Sequence, residues 1–292
     1  MSETKLLGVI GYPLGHSLSP AFQQAALDAL GIDARYERWE TPPGALEERV
    51  AALRDPLCLG ANVTVPYKER VIPLLDELDE VATQAGAVNT IVNRGGRLMG
   101  HNTDVDGFLR ALREAGDFEP RGCIALVLGA GGAARAAVLA LVRSGASLVY
   151  VANRTYHRVF RLVEDLRPLA ARTRLVSLPL TYAALQGASV GWDLVVNCTT
   201  LGMPGTVDAN KSPLPAELIP ADCLVFDLVY RPDPTPLLRD AETRGARVLD
   251  GLPMLVYQGA ESFRLWTGRE APIEVMFRAA REALTAAAAG GR

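Results

Sequence analysis

A glycine-rich turn between a strand pattern and a helix pattern constrains the fold of this chain more than any other stretch. Residues 123–128 (C-I-A-L-V-L) predict a buried strand, and an Ala/Val/Leu-rich helix follows the turn to about Ser144. Gly129, Gly131 and Ala134 match the fingerprint G-x-G-x-x-G/A of dinucleotide-binding units. Glycines permit the tight turn and the close approach of a pyrophosphate, which the free N–H groups at the helix start then face. The stretch predicts dinucleotide binding; a Gly-rich turn in another strand–helix unit is the alternative.

The next strand indicates which dinucleotide binds. Residues 147–152 (S-L-V-Y-V-A) predict a parallel neighbour, followed by Asn153, Arg154 and Thr155, with Arg158 one turn later. NAD sites usually carry an acidic residue here for the ribose hydroxyls, whereas a guanidinium suits a 2′-phosphate. The sequence therefore predicts NADP as the cofactor. The alternative is that both arginines are solvated surface residues and that Thr155 only caps the following helix.

Composition limits the classes to which the chain can belong. With 292 residues it is long enough for two domains, and its net charge of −3 argues against a nucleic-acid-binding surface. No segment has the length of a membrane span, and the N-terminal residues do not resemble a signal peptide. The four cysteines form no C-x-x-C pair, and the three histidines have no metal-ligand spacing. These features predict a cytoplasmic protein with no metal, no nucleic-acid partner and no membrane partner.

Lysine is rare in this chain, because only Lys5, Lys68 and Lys211 occur among its 30 basic residues. Arginine cannot lose its proton in a protein, whereas lysine can. A chain that favours arginine and still places Lys68 after a predicted strand therefore makes it a candidate for proton transfer. Chance is the alternative on this count alone.

The first hundred residues alternate between strand and helix patterns, which predicts an α/β layer of their own. Ser19 before Pro20 predicts the N-cap of a helix over residues 21–30. Together with Ser17, it places two hydroxyls where a small carboxylate could bind at the helix start, although Ser19 could equally serve only as a cap.

Residues 69–84 predict a helical stretch that Pro73 interrupts. The turn over residues 93–96 (N-R-G-G) then predicts a β-hairpin between residues 87–92 and residues 97–102.

Residues 102–104 (N-T-D) close this hairpin and end on Asp104. It could be only the N-cap of a helix over residues 105–115. It could also belong to a ligand site, because it lies at the boundary between two predicted α/β layers, and ligand sites favour such boundaries. Residues 197–203 follow a later strand at its C-terminal end, where open α/β sheets bind ligands.

Eight short motifs occur in order over nearly the whole chain, and together they resemble those of the shikimate dehydrogenases. They are S-x-S-P (17–20), N-V-T-V-P-Y-K (62–68), A-V-N-T (87–90), N-T-D-x-x-G (102–107), G-A-G-G-A (129–133), N-R-T (153–155), N-x-T-x-x-G-M (197–203) and G-x-x-M-L-V-x-Q (251–258).

The resemblance implies an α/β fold of two domains with a cleft between them. Residues 1–104 plus 257–292 would form an α/β substrate-binding domain, and residues 105–256 a Rossmann-type, doubly wound NADP domain. It also implies NADP-dependent interconversion of 3-dehydroshikimate and shikimate in aromatic amino-acid biosynthesis. The assembly is left open between a monomer and a homodimer.

The resemblance also implies a role for individual residues. Lys68 and Asp104 would be the catalytic pair, and both would also contact substrate. The substrate carboxylate would bind Ser17, Ser19 and Tyr230, and the ring hydroxyls would bind Thr64, Asn89, Asp104 and Gln258. The cofactor would bind through Gly129, Ala130, Gly131, Gly132 and Ala133 at the pyrophosphate, Asn153, Arg154, Thr155 and Arg158 at the adenosine phosphate, and Leu228 and Gly251 near the nicotinamide.

These roles agree with the chemistry of ketone reduction. The reduced oxygen needs a proton, and an ammonium group supplies both a proton and a stabilising charge. Two other hypotheses stay open: a paralogue that prefers quinate or NAD, and a non-catalytic NADP-sensing module. The presence of both Lys68 and Asp104 argues against the sensing module.

Overall fold

The structure is a computed structural model that describes residues 3–15, 17–189, 191–203, 208–231 and 234–289. The chain divides into two compact units. The first unit comprises Met1–Gly107 and Leu255–Arg292, and the second comprises Phe108–Met254. Each unit has its own sheet, so the expected α/β class is confirmed.

The elements from β1 to α4 alternate between strand and helix as predicted, except within residues 69–84. In chain order they are β1 (Lys5–Gly11), α1 (Ser19–Ala29), β2 (Ala34–Glu40), α2 (Leu46–Ala52), β3 (Cys58–Val63), β4 (Glu77–Leu78), α3 (Glu80–Ala85), β5 (Thr90–Arg94), β6 (Arg97–His101) and α4 (Asp104–Arg110). A turn of π-helix over Ala111–Ala115 continues α4.

The remaining elements complete the second unit and then return to the first. They are β7 (Ile124–Leu128), α5 (Gly132–Ser144), β8 (Leu148–Asn153), α6 (Tyr156–Leu166), β9 (Arg174–Pro179), α7 (Tyr182–Ala188), β10 (Leu194–Asn197), β11 (Leu224–Asp227), α8 (Pro236–Thr243), β12 (Arg247–Leu249), α9 (Leu252–Thr267) and α10 (Ile273–Ala289).

The first unit's sheet has the strand order β2-β1-β3-β5-β6-β4 in the described part of the chain. β1 runs parallel to both β2 and β3, whereas β5 is antiparallel to β3 and β6. The predicted hairpin between β5 and β6 is confirmed, with Gly95 and Gly96 at φ 63° and 90° in its two-residue turn. Two consecutive positive φ angles define the type I′ turn that suits tight hairpins.

The predicted helical stretch over residues 69–84 is largely wrong. It contains a 3₁₀ turn (Ile72–Leu74), the short strand β4 and only then α3. β4 pairs with β6 across the sheet, a long-range contact that local helix propensity does not anticipate. The Asp79 side chain, which accepts a hydrogen bond from Ala82 N at 2.6 Å, sets the start of α3.

The second unit's sheet has the order β12-β11-β10-β7-β8-β9 over the described residues, with every pair parallel. The chain builds outward from β7 in one direction and then from β10 in the other, which confirms the doubly wound arrangement. Dinucleotides bind at the C-terminal edge of such sheets where the strand order reverses, here between β7 and β10.

Candidate active site

Four polar side chains of the first unit, the Asp104 carboxylate among them, form one hydrogen-bonded cluster. Lys68 Nζ lies 2.5 Å from Asp104 Oδ2, and Asn89 Nδ2 lies 2.9 Å from Asp104 Oδ1 and 3.1 Å from Gln258 Oε1. The side chains of Lys68 and Asp104 are only 16% and 4% exposed. The cluster thus joins a nearly buried ammonium, a carboxylate and two amides, a set that can donate a proton and bind hydroxyl groups.

The loop after β3 fixes the position of Lys68. Tyr67 is buried, its hydroxyl donates to Thr41 O at 2.6 Å, and its backbone N–H donates to Thr64 O at 2.9 Å. Val88 N then donates to Lys68 O at 2.7 Å, which brings the lysine beside Asn89. The buried tyrosine therefore anchors the turn from which the lysine extends. Thr64 is partly buried in the same loop.

Asp104 does not cap its helix, contrary to that alternative. It is the first residue of α4, and Asn102 Oδ1 instead accepts from the backbone N–H groups of Asp104 and Val105, at 3.1 and 3.3 Å. Asn102 is held in turn by donating to Ala87 O at 2.8 Å. Because Asn102 performs the capping, both oxygens of Asp104 are available to Lys68 and Asn89.

Ser19 is likewise not an N-cap, so that prediction is wrong by one residue. Leu18 adopts helical angles (φ −86°, ψ −11°), which makes Ser19 the first residue of α1 and puts Pro20 at its second position. Ser17 Oγ accepts weakly from Ser19 N at 3.4 Å, and an Arg38 guanidinium donates to Ser17 O at 2.9 Å. The two serines are therefore neighbours on one loop, as expected.

A buried polar network that the sequence reasoning missed lies behind these residues. The Tyr36 hydroxyl donates to Asn62 Oδ1 at 2.7 Å, and the Ser19 side chain is close enough to lower the pKa of Tyr36 in part. Asn62 Nδ2 donates to Ser262 Oγ at 3.0 Å, and Ser262 Oγ lies 3.2 Å from Thr103 Oγ1. Burial raises the pKa of Tyr36 well above its usual value, so the hydroxyl stays protonated as a donor.

The network continues to the cluster around Asp104, because Thr103 Oγ1 accepts from Asn89 Nδ2 at 2.8 Å. Asn62 and Thr103 stand inside the quoted motifs and could have been noticed there. Tyr36 and Ser262 occur in no motif, and 226 positions separate them along the chain. Only the fold brings them to the same network.

In the second unit, the glycine turn after β7 has the backbone that its sequence predicts. Gly129 has φ +119°, and a Cβ there would lie 3.1 Å from Cys198 O. Its N–H donates to Ala152 O at 2.8 Å. A Cβ on Gly131 would meet no atom within 4 Å, so the turn opens into space at the start of α5.

The first turn of α5 can hold an anion. Gly131 is its N-cap, no side chain caps it, and no acidic residue lies in its first turn. Ala130, Gly132 and Ala133 present only backbone and methyl groups there, while Ala134 is fully buried. Free N–H groups with the positive end of a helix dipole suit a pyrophosphate, so the residues present fit a dinucleotide.

The end of β8 carries the side chains predicted for the adenosine phosphate. Asn153 Nδ2 donates to Thr155 O at 3.3 Å, and Thr155 is the N-cap residue of α6, although its side chain makes no capping hydrogen bond. Arg154 and Arg158 are exposed, and Arg154 lines a groove of about 510 Å³ together with Lys211. Exposed cations beside a groove fit a phosphate ester, although they are equally typical of a solvated surface.

The ends of β11 and β12 bring Leu228 and Gly251 together. A Cβ on Gly251 would lie 2.2 Å from Leu228 O, so only glycine fits. Leu228 N donates to Asn197 O at 3.0 Å, which ties this edge to β10. Tyr230 is partly buried two residues further on, in the second unit.

The described residues form neither a metal site nor a membrane-spanning helix. No group of three or more His, Cys, Asp or Glu side chains is arranged to hold a metal ion. Among the same residues, every helix is too short or too polar to cross a membrane.

Family profiles match three stretches of the chain. The shikimate dehydrogenase substrate binding domain matches residues 9–91, the shikimate/quinate 5-dehydrogenase family matches residues 112–199, and the shikimate 5′-dehydrogenase C-terminal domain matches residues 251–281.

Individual relatives match over nearly their full length. The NADP(+) shikimate dehydrogenase of Moorella thermoacetica is 46% identical over 99% of this chain and 97% of its own. The structure of shikimate 5-dehydrogenase from Thermus thermophilus, in complex with NADP(H) and shikimate, is 44% identical with a TM-score of 0.84 over 96% of this chain and 100% of its own. Quinate dehydrogenase from Corynebacterium glutamicum, in complex with NAD, is 34% identical with a TM-score of 0.85, over 96% of this chain and 99% of its own.

Proposed function

The chain belongs to the shikimate dehydrogenase family, and we propose on that basis which of its residues carry out proton transfer, bind the substrate and bind the cofactor. It is an NADP-dependent oxidoreductase that interconverts 3-dehydroshikimate and shikimate. The single observation that carries the proposal is the contact of Lys68 Nζ with Asp104 Oδ2 inside a nearly buried cluster.

Lys68 is the proposed proton donor. NADPH, when bound, supplies the hydride that reduces the carbonyl carbon. The Lys68 ammonium stabilises the negative charge that develops on the carbonyl oxygen and gives it a proton. In the oxidation of shikimate, the neutral amine takes that proton back. The 16% exposure of Lys68 leaves a route for exchange of the proton with water.

Asp104 orients the ammonium and accepts a hydrogen bond from a substrate hydroxyl. Asn89 and Gln258, with Thr64, bind the other ring hydroxyls, because a polyol needs neutral donors and acceptors. Ser17 and Ser19 bind the carboxylate at the start of α1, with Tyr230 as the third group. Two observations support these proposed substrate contacts: the two serines lie on one loop, and Asn89, Asp104 and Gln258 are joined by hydrogen bonds.

The first unit is the proposed substrate domain and the second the NADP domain. The proposed pyrophosphate site is the turn from Gly129 to Ala133, where the backbone is open. Arg154, with Asn153, Thr155 and Arg158, would read the adenosine 2′-phosphate, and Leu228 and Gly251 would lie near the nicotinamide. The partners proposed are these small molecules, with no nucleic acid and no membrane, for a monomer or homodimer in the cytoplasm.

The direct test is an initial-rate assay with shikimate or quinate as substrate and NADP or NAD as cofactor, in all four combinations. Strong turnover with shikimate and NADP alone is the expected result. Comparable turnover with quinate or NAD would contradict the strict preference. Absence of turnover in all four combinations, with NADP still bound, would contradict the catalytic roles of Lys68 and Asp104.

A further inference from the structure

We propose that Asp227 makes the second unit discriminate between the two redox states of its cofactor, favouring the oxidised form through a buried negative charge. The inference rests on the proposed function, because it requires the nicotinamide to bind near Leu228 and Gly251. The oxidised ring carries a positive charge that the reduced ring lacks, so a fixed carboxylate nearby acts on only one of the two forms.

Asp227 ends β11 and is fully buried. Its Oδ1 accepts from Asn197 Nδ2 at 2.8 Å and from Val229 N at 3.0 Å, and its Oδ2 accepts from Thr235 Oγ1 at 2.7 Å. All three donors are neutral. The carboxylate is therefore well solvated by hydrogen bonds, yet none of them cancels its charge as Lys68 cancels that of Asp104.

A second carboxylate reinforces the negative potential at the same edge. Asp250 follows β12, accepts from Leu252 N at 2.7 Å, and acts on Asp227 as a like charge. Burial raises the pKa of Asp227 to about 6, with the three hydrogen bonds opposing that effect and Asp250 adding to it. Asp227 is therefore ionised at pH 8.

The Asp227 carboxylate lies in the half of the sheet where the nicotinamide would bind. The glycine turn after β7 and the arginines after β8 take the phosphates and the adenosine, on one side of the reversal in strand order. β10, β11 and β12 form the other side. Leu228 and Gly251 directly follow Asp227 and Asp250 in the chain, so both carboxylates stand at the edge where the ring would bind.

The test is calorimetric titration of the full chain at pH 8 with NADP+ and, separately, with NADPH. Asp227→Asn keeps the shape of the side chain and removes its charge. We expect its Kd for NADP+ to rise about three- to tenfold and its Kd for NADPH to change less than about twofold. Asp222→Asn is the matched control, because it removes an exposed carboxylate close to the opposite end of β11. It should leave both values unchanged.

Asp250→Asn keeps the test decisive if Asp227→Asn fails to fold, because asparagine also caps a helix start and the Asn197 hydrogen bonds stay intact. It should weaken NADP+ selectively, by less than Asp227→Asn does. Equal weakening of both forms, or no change in either, would overturn the inference and leave Asp227 as a support for the loops. If the wild-type chain bound neither form, the proposed function itself would fail.

Discussion

The two units hold their functional groups in different ways. In the first, Lys68, Asn89, Asp104 and Gln258 form one hydrogen-bonded cluster, and a buried network supports them. In the second, the residues assigned to the cofactor are mainly glycines, backbone N–H groups and exposed side chains. Proton transfer needs side chains at fixed distances, whereas a pyrophosphate can be held by the backbone of any chain that makes the turn.

Two buried carboxylates show the same contrast. Asp104 has an ammonium at 2.5 Å, whereas Asp227 is held by neutral donors and the pKa of its carboxyl is raised to about 6, mainly by burial. The Asp104 carboxylate therefore serves as the counter-ion of the proposed proton donor, Lys68. The Asp227 carboxylate leaves a fixed charge in the sheet edge.

Removing the Lys68 ammonium should have the largest effect on activity. We expect Lys68→Ala to lower kcat by about a thousandfold, the range of general acid–base catalysis, while KM for shikimate changes much less. Initial rates with shikimate and NADP measure both. Lys5→Ala is the matched control, since Lys5 is the first residue of β1 and its ammonium donates to Pro56 O at an exposed position. Near-normal turnover of Lys68→Ala would remove this residue from the mechanism.

Removing a guanidinium from the second unit should affect only one cofactor. We expect Arg154→Ala to raise KM for NADP about ten- to a hundredfold, the cost of one charged hydrogen bond, and to change KM for NAD little. Arg172→Ala, which removes an exposed arginine before β9, should change neither value. An equal rise for both cofactors would mean that Arg154 does not read the 2′-phosphate.

The pH dependence of the unfolding free energy should show that the Asp227 carboxyl has a raised pKa in the folded protein. Because its pKa is raised in the folded state, protonated Asp227 contributes stability that is fully present below about pH 4 and is lost as the pH rises through about 6. The difference in unfolding free energy between wild type and Asp227→Asn, from urea titrations, should change by ~2 kcal/mol over this window. Parallel curves for the two proteins would contradict the raised pKa.

A methyl group in the glycine turn should weaken the binding of NADP and of NAD by the same factor. Gly129→Ala places a Cβ 3.1 Å from Cys198 O at φ +119°, and we expect Kd for NADP and NAD to rise about tenfold. Gly122→Ala is the control, because Gly122 also has a positive φ but has open space around its Cβ position. It should lower stability without affecting affinity. Unchanged affinity in Gly129→Ala would mean that the turn does not hold the cofactor.

The smallest effect tests the network of the first unit. Tyr36→Phe removes the hydroxyl that contacts Ser19 and Asn62, which should raise KM for shikimate about threefold and leave kcat nearly unchanged. Combining it with Ser19→Ala in a double-mutant cycle measures the coupling. Strictly additive effects would show that Tyr36 does not position Ser19.

The glycine turn and the hairpin could be predicted because each depends on residues close together in the sequence, whereas the doubly wound sheet was expected from the resemblance of the eight motifs. The N-cap prediction for Ser19 is wrong, because the start of α1 depends on the backbone angles of Leu18. The sequence left Asp104 open between a cap and a ligand-site residue, because the choice depends on the Asn102 side chain. Tyr36 and Ser262 were missed because distant segments must fold before they meet. The roles of the site residues stay predictions, although Lys68, Asn89, Asp104 and Gln258 do lie together.

The first unit is built from two separated stretches of the sequence, and the residues of the second unit come between these stretches in the sequence. Gln258 and Ser262 belong to the later stretch, yet they bond to Asn89 and Asn62 in the earlier one. On a ribosome, which extends the chain from its N-terminus, the second unit therefore emerges whole before the first can be completed. The cluster around Asp104 can therefore be completed only after the second unit has emerged, and a nascent chain that stops short of α9 lacks it.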